Sequence, residues 1–284
     1  MRFVVTATVF LMMVAGTALA SGIIPNLIYC VADGVPLLLD LYLPAGEGPH
    51  PAILFLPGGA WHAGDKIGFF SYATHFSNLG YVCLAVNYRW APFFTFPAQL
   101  EDVCCALDWL GRHAAEYGVD MERLAVVGDS AGGHLAALLA LAPAGLGGCD
   151  EGAPPVKAVV SLYGPMDLTL YASDPVGALV IADFLGASYE ENPELWRRAS
   201  PIHWVNPDAP PFLLIHGTAD TVVPVEHSIA MARALEGAGG VVELLLVPGA
   251  GHEFHLLPFS WANLLARSRI QEFLARVLSP SREI

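Results

Sequence analysis

Apolar residues come in short, nearly unbroken runs along most of this chain, among them PAILFLP, LAVVG, KAVVSLYG and FLLIHG. A strand with one wet face alternates apolar and polar positions. Runs that do not alternate predict strands covered on both faces, as in a parallel sheet between helix layers. Such runs predict strands near 26–32, 36–43, 52–56, 81–86, 122–127, 156–161, 211–216 and 241–247. Helical patterns fall between them, near 68–79, 97–117, 130–142, 225–238 and 261–278. The first two strands are joined by Asp33-Gly34, a turn signal that predicts an antiparallel entry hairpin. The alternation predicts an α/β fold with a mostly parallel eight-stranded sheet and helices on both faces. Residues 165–205 interrupt it. Rich in Pro, Asp and Trp, they predict a short helical insertion over the sheet's edge.

The opening residues break the pattern. Arg2 precedes the apolar stretch FVVTATVFLMMVA, and Ala18-Leu19-Ala20 follows ahead of Ser21. These features predict a cleaved secretory signal peptide over 1–20 and one domain over 21–284; an uncleaved N-terminal anchor is the alternative. The expected location is secreted or periplasmic. No membrane contact is expected after cleavage, because HLAALLALAPAGLGG is broken by Pro143 and its glycines.

Hydrophobic residues make up 55% of the 284 and charged ones only 14%, enough for a large core and incompatible with disorder. The formal charge is -14 and the only lysines are Lys66 and Lys157. Without a basic cluster, a nucleic-acid partner is excluded. Cys30, Cys83, Cys104, Cys105 and Cys149 are odd in number and share no metal-ligand spacing. They are expected to pack as buried free thiols, with one disulfide left open. None has the paired base that a thiol nucleophile needs.

The chemistry is carried by Gly128-Asp129-Ser130-Ala131-Gly132. This G-x-S-x-G sequence lies between a predicted strand and a predicted helix, where a sharp turn projects the serine Oγ above the sheet. Only tiny side chains two residues before and after the serine avoid the neighbouring strand and helix. The alternative, a phosphate-binding turn, lacks both glycine patterns that such turns use. A serine nucleophile needs a base, and the base an orienting acid, in the chain order Ser, acid, His. FLLIHG leads to Asp220, and VVELLLV leads to His252 in a glycine-rich loop. Rival groups fit less well: His134 lies in the helix after the serine, His216 precedes the acid loop, and His255 lies beyond the His252 loop. Asp174 and Asp183 come before the relevant strand, and Asp129 adjoins the serine. Negative charge developing at a substrate carbonyl needs donors. The backbone N–H groups of Gly59, Ala60 and Ala131 are placed to supply them. Trp61 is a candidate pocket wall, or else a residue that packs this loop down.

PGGAWHAGDK, VNYRWAP, FPAQLEDVCCALDWL, VVGDSAGGHLAALLAL, LIHGTADTVVPVEHS and VPGAGHEFH together make the chain resemble an α/β-hydrolase over nearly all of its mature length. It is most similar to exported carboxylesterases grouped with feruloyl and acetyl-xylan esterases (BD-FAE-like) and with hormone-sensitive-lipase relatives. The resemblance implies Ser130, Asp220 and His252 as the triad and Gly58-Gly59-Ala60 as the oxyanion loop. It implies a small-molecule or carbohydrate-linked ester as substrate, and neither cofactor nor metal. The short insertion implies an open site and short acyl chains. One departure stands out: the family's loop begins with His where this chain has Pro57, which removes a donor that helps hold the loop. The family also implies a structural role for Arg89 and Asp102, either an ion pair locking a strand-to-helix connection or a plain surface pair. Two other functions remain open: an amidase of the formylkynurenine formamidase type, and a non-catalytic binding protein. No feature bears on oligomeric state.

Overall fold

Each predicted apolar run becomes a strand of one sheet: β1 (Gly22–Ala32), β2 (Val35–Leu43), β3 (His50–Leu56), β4 (Val82–Val86), β5 (Val119–Asp129), β6 (Ala158–Leu162), β7 (Phe212–Gly217) and β8 (Val242–Val247). The computed structural model describes residues 22–143, 145–147 and 154–279. The predicted signal peptide and Cys149 lie outside these residues. The order across the sheet is β1-β2-β4-β3-β5-β6-β7-β8. β1 pairs antiparallel with β2, and β2 with β4; every other pair is parallel. Asp33 and Gly34 both take positive φ, 49° and 77°, the geometry of a tight hairpin turn.

The absence of alternation now has its explanation. Along β3, Ala52, Leu54 and Leu56 enter one core while Ile53 and Phe55 enter the other. The first core is closed by α2 (Ala98–Tyr117), α3 (Ala131–Leu141) and α6 (Glu226–Gly237); the second by α1 (Phe70–Asn78) and α7 (Trp261–Val277). Each fully buried Leu, Ile or Phe contributes about 1.5–3 kcal/mol. Among the described residues, no helix is long and apolar enough to cross a membrane.

The insertion is helical, as expected, with α4 (Pro175–Leu185) and α5 (Pro193–Arg198). Asp174 starts α4 by accepting from the amides of Val176 and Gly177, and Gly186 ends it at φ 75°. Ile181 and Phe184 anchor the helix to the first core, so the insertion is packed down at one end of the sheet.

The cysteine expectation needs correcting. Cys30 of β1 and Cys105 of α2 form a disulfide across a sequence separation of 75. The pairing depends on α2 packing against the edge hairpin, a contact that spacing along the chain does not reveal. Cys83 is a buried thiol, and burial pushes its pKa well up.

Arg89 and Asp102 form a buried ion pair, which excludes the plain surface pair. The Arg89 Nε donates to Asp102 Oδ1 at 2.9 Å, and its backbone N–H to Oδ2 at 2.8 Å. The guanidinium also reaches Glu101, the Ala98 carbonyl and Asp33 of the hairpin turn. One side chain therefore ties the residues after β4 to the start of α2 and to the edge hairpin.

Candidate active site

The carboxyl ends of β3, β5, β7 and β8 open onto one rim of the sheet, where α/β folds place their ligand crevices. Ser130 sits between β5 and α3 with φ 48° and ψ −120°, a strained conformation for a residue with a side chain. The flanking glycines allow it. A Cβ on Gly128 would lie 2.2 Å from the Gly132 carbonyl oxygen, and one on Gly132 only 1.9 Å from that of Leu56. Both obstacles are backbone, so no side chain could move aside.

The three predicted residues converge. His252 Nε2 lies 3.0 Å from Ser130 Oγ, and its Nδ1 lies 2.7 Å from Asp220 Oδ2. This geometry leaves Nε2 free to take the serine proton while Nδ1–H donates to the acid. The other Asp220 oxygen accepts from the amides of Val222 and Val223 at 2.9 and 3.0 Å. Burial alone would push the Asp220 carboxyl up. Hydrogen bonds from His216, His252 and the Val223 amide outweigh it and hold the acid well below the usual carboxylate range. Tyr163, beyond β6, packs its ring 4.5 Å from that of His252.

Opposite the serine, Gly59, Ala60 and Trp61 take positive φ in succession, 122°, 53° and 63°. Gly59 cannot carry a side chain, since a Cβ there would lie 2.3 Å from the Ala63 carbonyl oxygen. Ala60 and Ala131 line the same cavity as Ser130. What holds this loop without its usual His is Asp129, whose Oδ1 accepts from the Gly58 N–H at 2.8 Å. Tyr88 completes the tether, its hydroxyl donating to the Pro57 carbonyl at 2.7 Å. Asp129 is thus no part of the Ser-His-Asp line, yet it has a task beside it.

Trp61 lies both at the cavity and against the core beneath it. It lines the cavity, stacks on Phe184 with ring centroids 4.3 Å apart and donates from Nε1 to His134 Nδ1 at 3.3 Å. The cavity, about 420 Å³, is walled mainly by apolar groups, among them Pro165, Tyr171, Val180, Ile181 and Val223. These residues belong to the insertion and the acid loop. They carry no motif, so sequence reading could assign the region but not the individual walls. The rival groups have other partners: His134 is buried under Trp61, Asp174 lines the cavity but caps α4, and Asp183 lies 3.8 Å from His62. His255 is buried with Nδ1 bonded to the Tyr163 hydroxyl. His216 lies behind Asp220, its Nε2 3.4 Å from Oδ2.

The chain is similar to known proteins in sequence and in fold. The BD-FAE family model covers residues 39–235, and a model described as TAP-like protein covers 193–280. The chain is 39% identical to Esterase LipC of Mycobacterium tuberculosis over 74% of its length and 54% of that protein's. It is 33% identical to ethyl acetate hydrolase of Pseudomonas putida over 85% of its length and 79% of that protein's. It spans a little over half the length of the first curated relatives: 54% of LipC, 58% of LipQ and 55% of LipM. A thermophilic esterase from Thermogutta terrifontis, Est2, superposes with a TM-score of 0.77 at 28% identity, over 93% of this chain and 95% of that one. Its propionate-bound form gives 0.78 over 92% and 96% at the same identity. This chain belongs to the BD-FAE family and has the α/β-hydrolase fold of the carboxylesterases.

Proposed function

We propose that this protein is an exported serine carboxylesterase acting on short-chain esters through Ser130, His252 and Asp220. The observation that carries the reading is the hydrogen-bonded line from Ser130 to His252 to Asp220, at 3.0 and 2.7 Å, opening onto an apolar cavity. Ser130 attacks the ester carbonyl carbon as its proton passes to His252 Nε2, and Asp220 steadies the imidazolium through Nδ1–H. The oxyanion is received by the N–H groups of Gly59, Ala60 and Ala131, each such donor being worth about 3 kcal/mol in the transition state. His252 then protonates the leaving alcohol. Water, activated by the same imidazole, releases the acid and restores Ser130.

Relatives named esterase or carboxylic ester hydrolase support the choice of bond. The Thermogutta terrifontis esterase is known in propionate-bound and butyrate-bound forms, which supports a short acyl group here. The Cys30–Cys105 disulfide suits an oxidising compartment and supports export, alongside the signal-like residues 1–20.

The test is turnover of p-nitrophenyl esters from acetate to octanoate, beside a formyl amide, by wild type and Ser130→Ala. The expected result is ester hydrolysis falling with chain length and at least a ~10³-fold loss in the variant. An inactive wild type, or a fully active Ser130→Ala, refutes the reading.

A further inference from the structure

Asp220 is held from two sides, and its inner partner lies outside the Ser130–His252–Asp220 line. An ionised carboxylate offers about four lone-pair positions. The amides of Val222 and Val223 occupy Oδ1, and His252 Nδ1–H takes one position on Oδ2. The remaining one faces His216, whose Nε2 lies 3.4 Å from Oδ2 and 2.9 Å from the Val223 carbonyl. Two acceptors around Nε2 put the ring proton there, which leaves Nδ1 to accept from the Ser228 hydroxyl at 2.7 Å. His216 and Ser228 are both fully buried, in β7 and α6 respectively. Behind the acid there is therefore a second Ser–His pair, pointing away from the substrate.

Resting on the esterase reading above, we infer that His216, oriented by Ser228, is a positioning residue that holds the Asp220 carboxylate in register for His252. The bond to the Val223 carbonyl, at 2.9 Å, is the shorter of the two Nε2 contacts, the approach to Asp220 being 3.4 Å. It fixes the turn whose two amides grip Oδ1, so one ring sets both ends of the carboxylate. Ser228 contributes by choosing the tautomer. Without a donor at Nδ1, the ring could place its proton on the wrong nitrogen and turn a lone pair toward the carboxylate, replacing attraction with repulsion.

Other titratable groups face this cluster. His227 and Glu226 lie on α6, Tyr171 and Asp167 belong to the insertion side, and Tyr163 and Glu253 follow β6 and β8. His227 is buried, and burial holds its pKa down to about 4, so it is neutral where the enzyme would be assayed. Tyr163 and Tyr171 are pushed up by burial and stay neutral too. Replacing His216 by phenylalanine therefore removes a donor facing Asp220 and leaves these neighbours in place.

The experiment compares His216→Phe, His216→Gln and Ser228→Ala with wild type, reading kcat, KM, the pH profile of kcat/KM and thermal midpoints. Phenylalanine keeps the ring volume and removes the donor. The expected result is a loss of about tenfold or more in kcat with KM within about twofold, since misplacement of reacting groups acts on the transition state. Out of register, Asp220 stabilises the imidazolium less well, so the acidic limb moves down by about half a pH unit. Glutamine keeps an N–H at the Nε2 position and restores kcat to within about threefold of wild type. Ser228→Ala moves kcat and the limb in the same direction by a smaller amount, and serves as the test if the phenylalanine variant does not fold. Folded variants with wild-type kcat and an unmoved limb overturn the inference. So does a glutamine variant no better than phenylalanine, its loss tracking thermal stability alone. Wild-type turnover and fluorophosphonate labelling of Ser130 report separately on the underlying esterase reading.

Discussion

Acidification should loosen the contact between α3 and the loop that faces it, through His134. This ring is fully buried in α3. Its Nδ1 accepts from Trp61 Nε1–H at 3.3 Å, and its Nε2 donates to the Ala199 carbonyl at 2.7 Å. A protonated ring would set one N–H against another at Trp61. Burial, only partly offset by the bond to Ala199, holds the His134 pKa down to about 4. In the unfolded chain the same ring titrates near about 6.5. A depressed folded pKa contributes stability that is present above the unfolded value and lost as pH falls toward the folded one. The loss from His134 is about 2 kcal/mol at pH 5 and about 3 kcal/mol near pH 4. Urea denaturation of wild type and His134→Gln at about pH 7.5 and pH 5 measures it. Glutamine does not titrate, so the gap between the two proteins should shrink by about 2 kcal/mol on going to pH 5. His227, also held low at about 4, adds its own loss to both proteins and cancels. A gap of the same size at both pH values would refute the claim that the folded ring excludes a proton.

Gly132→Ala would bring a methyl within 1.9 Å of the Leu56 carbonyl oxygen. It should cost about 3 kcal/mol of stability together with most of the ester turnover; thermal melting and a p-nitrophenyl butyrate assay check both. Cys105→Ser opens a loop of separation 75 and should lower stability by about 4 kcal/mol under oxidising conditions. Under reducing conditions, where wild type is open as well, the difference should disappear. Asp102→Ala removes the buried partner of the Arg89 guanidinium, leaving it only the exposed Asp33 and Glu101 as charged partners, and should cost about 3 kcal/mol, read from chemical denaturation. An unchanged midpoint would return the pair to a minor role.

How far the site was legible follows from what each part must satisfy. Ser130 was legible because its strained turn excludes side chains at Gly128 and Gly132, and that demand is local. Asp220 and His252 were legible because each ends a run of strand residues, and a parallel sheet carries all such ends to one rim. The carboxylate clamp on Gly58 was not. In the sequence Asp129 is only a neighbour of the serine, and its bond to Gly58 crosses from β5 to the residues after β3. The cavity walls were legible only as a region, because apolar residues of an insertion look alike whether they face a substrate or a core.

By itself, the sequence determined the layering and the strained turn at Ser130. Runs apolar at every position must be covered on both faces, and a glycine-flanked serine between strand and helix has one sterically permitted conformation. Tertiary structure alone decided that Cys30 meets Cys105, that Arg89 is buried on Asp102, and that His216 backs Asp220. Cys30 and Cys105 lie 75 residues apart, whereas His216 and Asp220 are only four apart and meet through the turn that follows β7. Such contacts depend on how sheet and helices pack, and burial then makes them matter, because a polar group removed from water must find its partner across the fold.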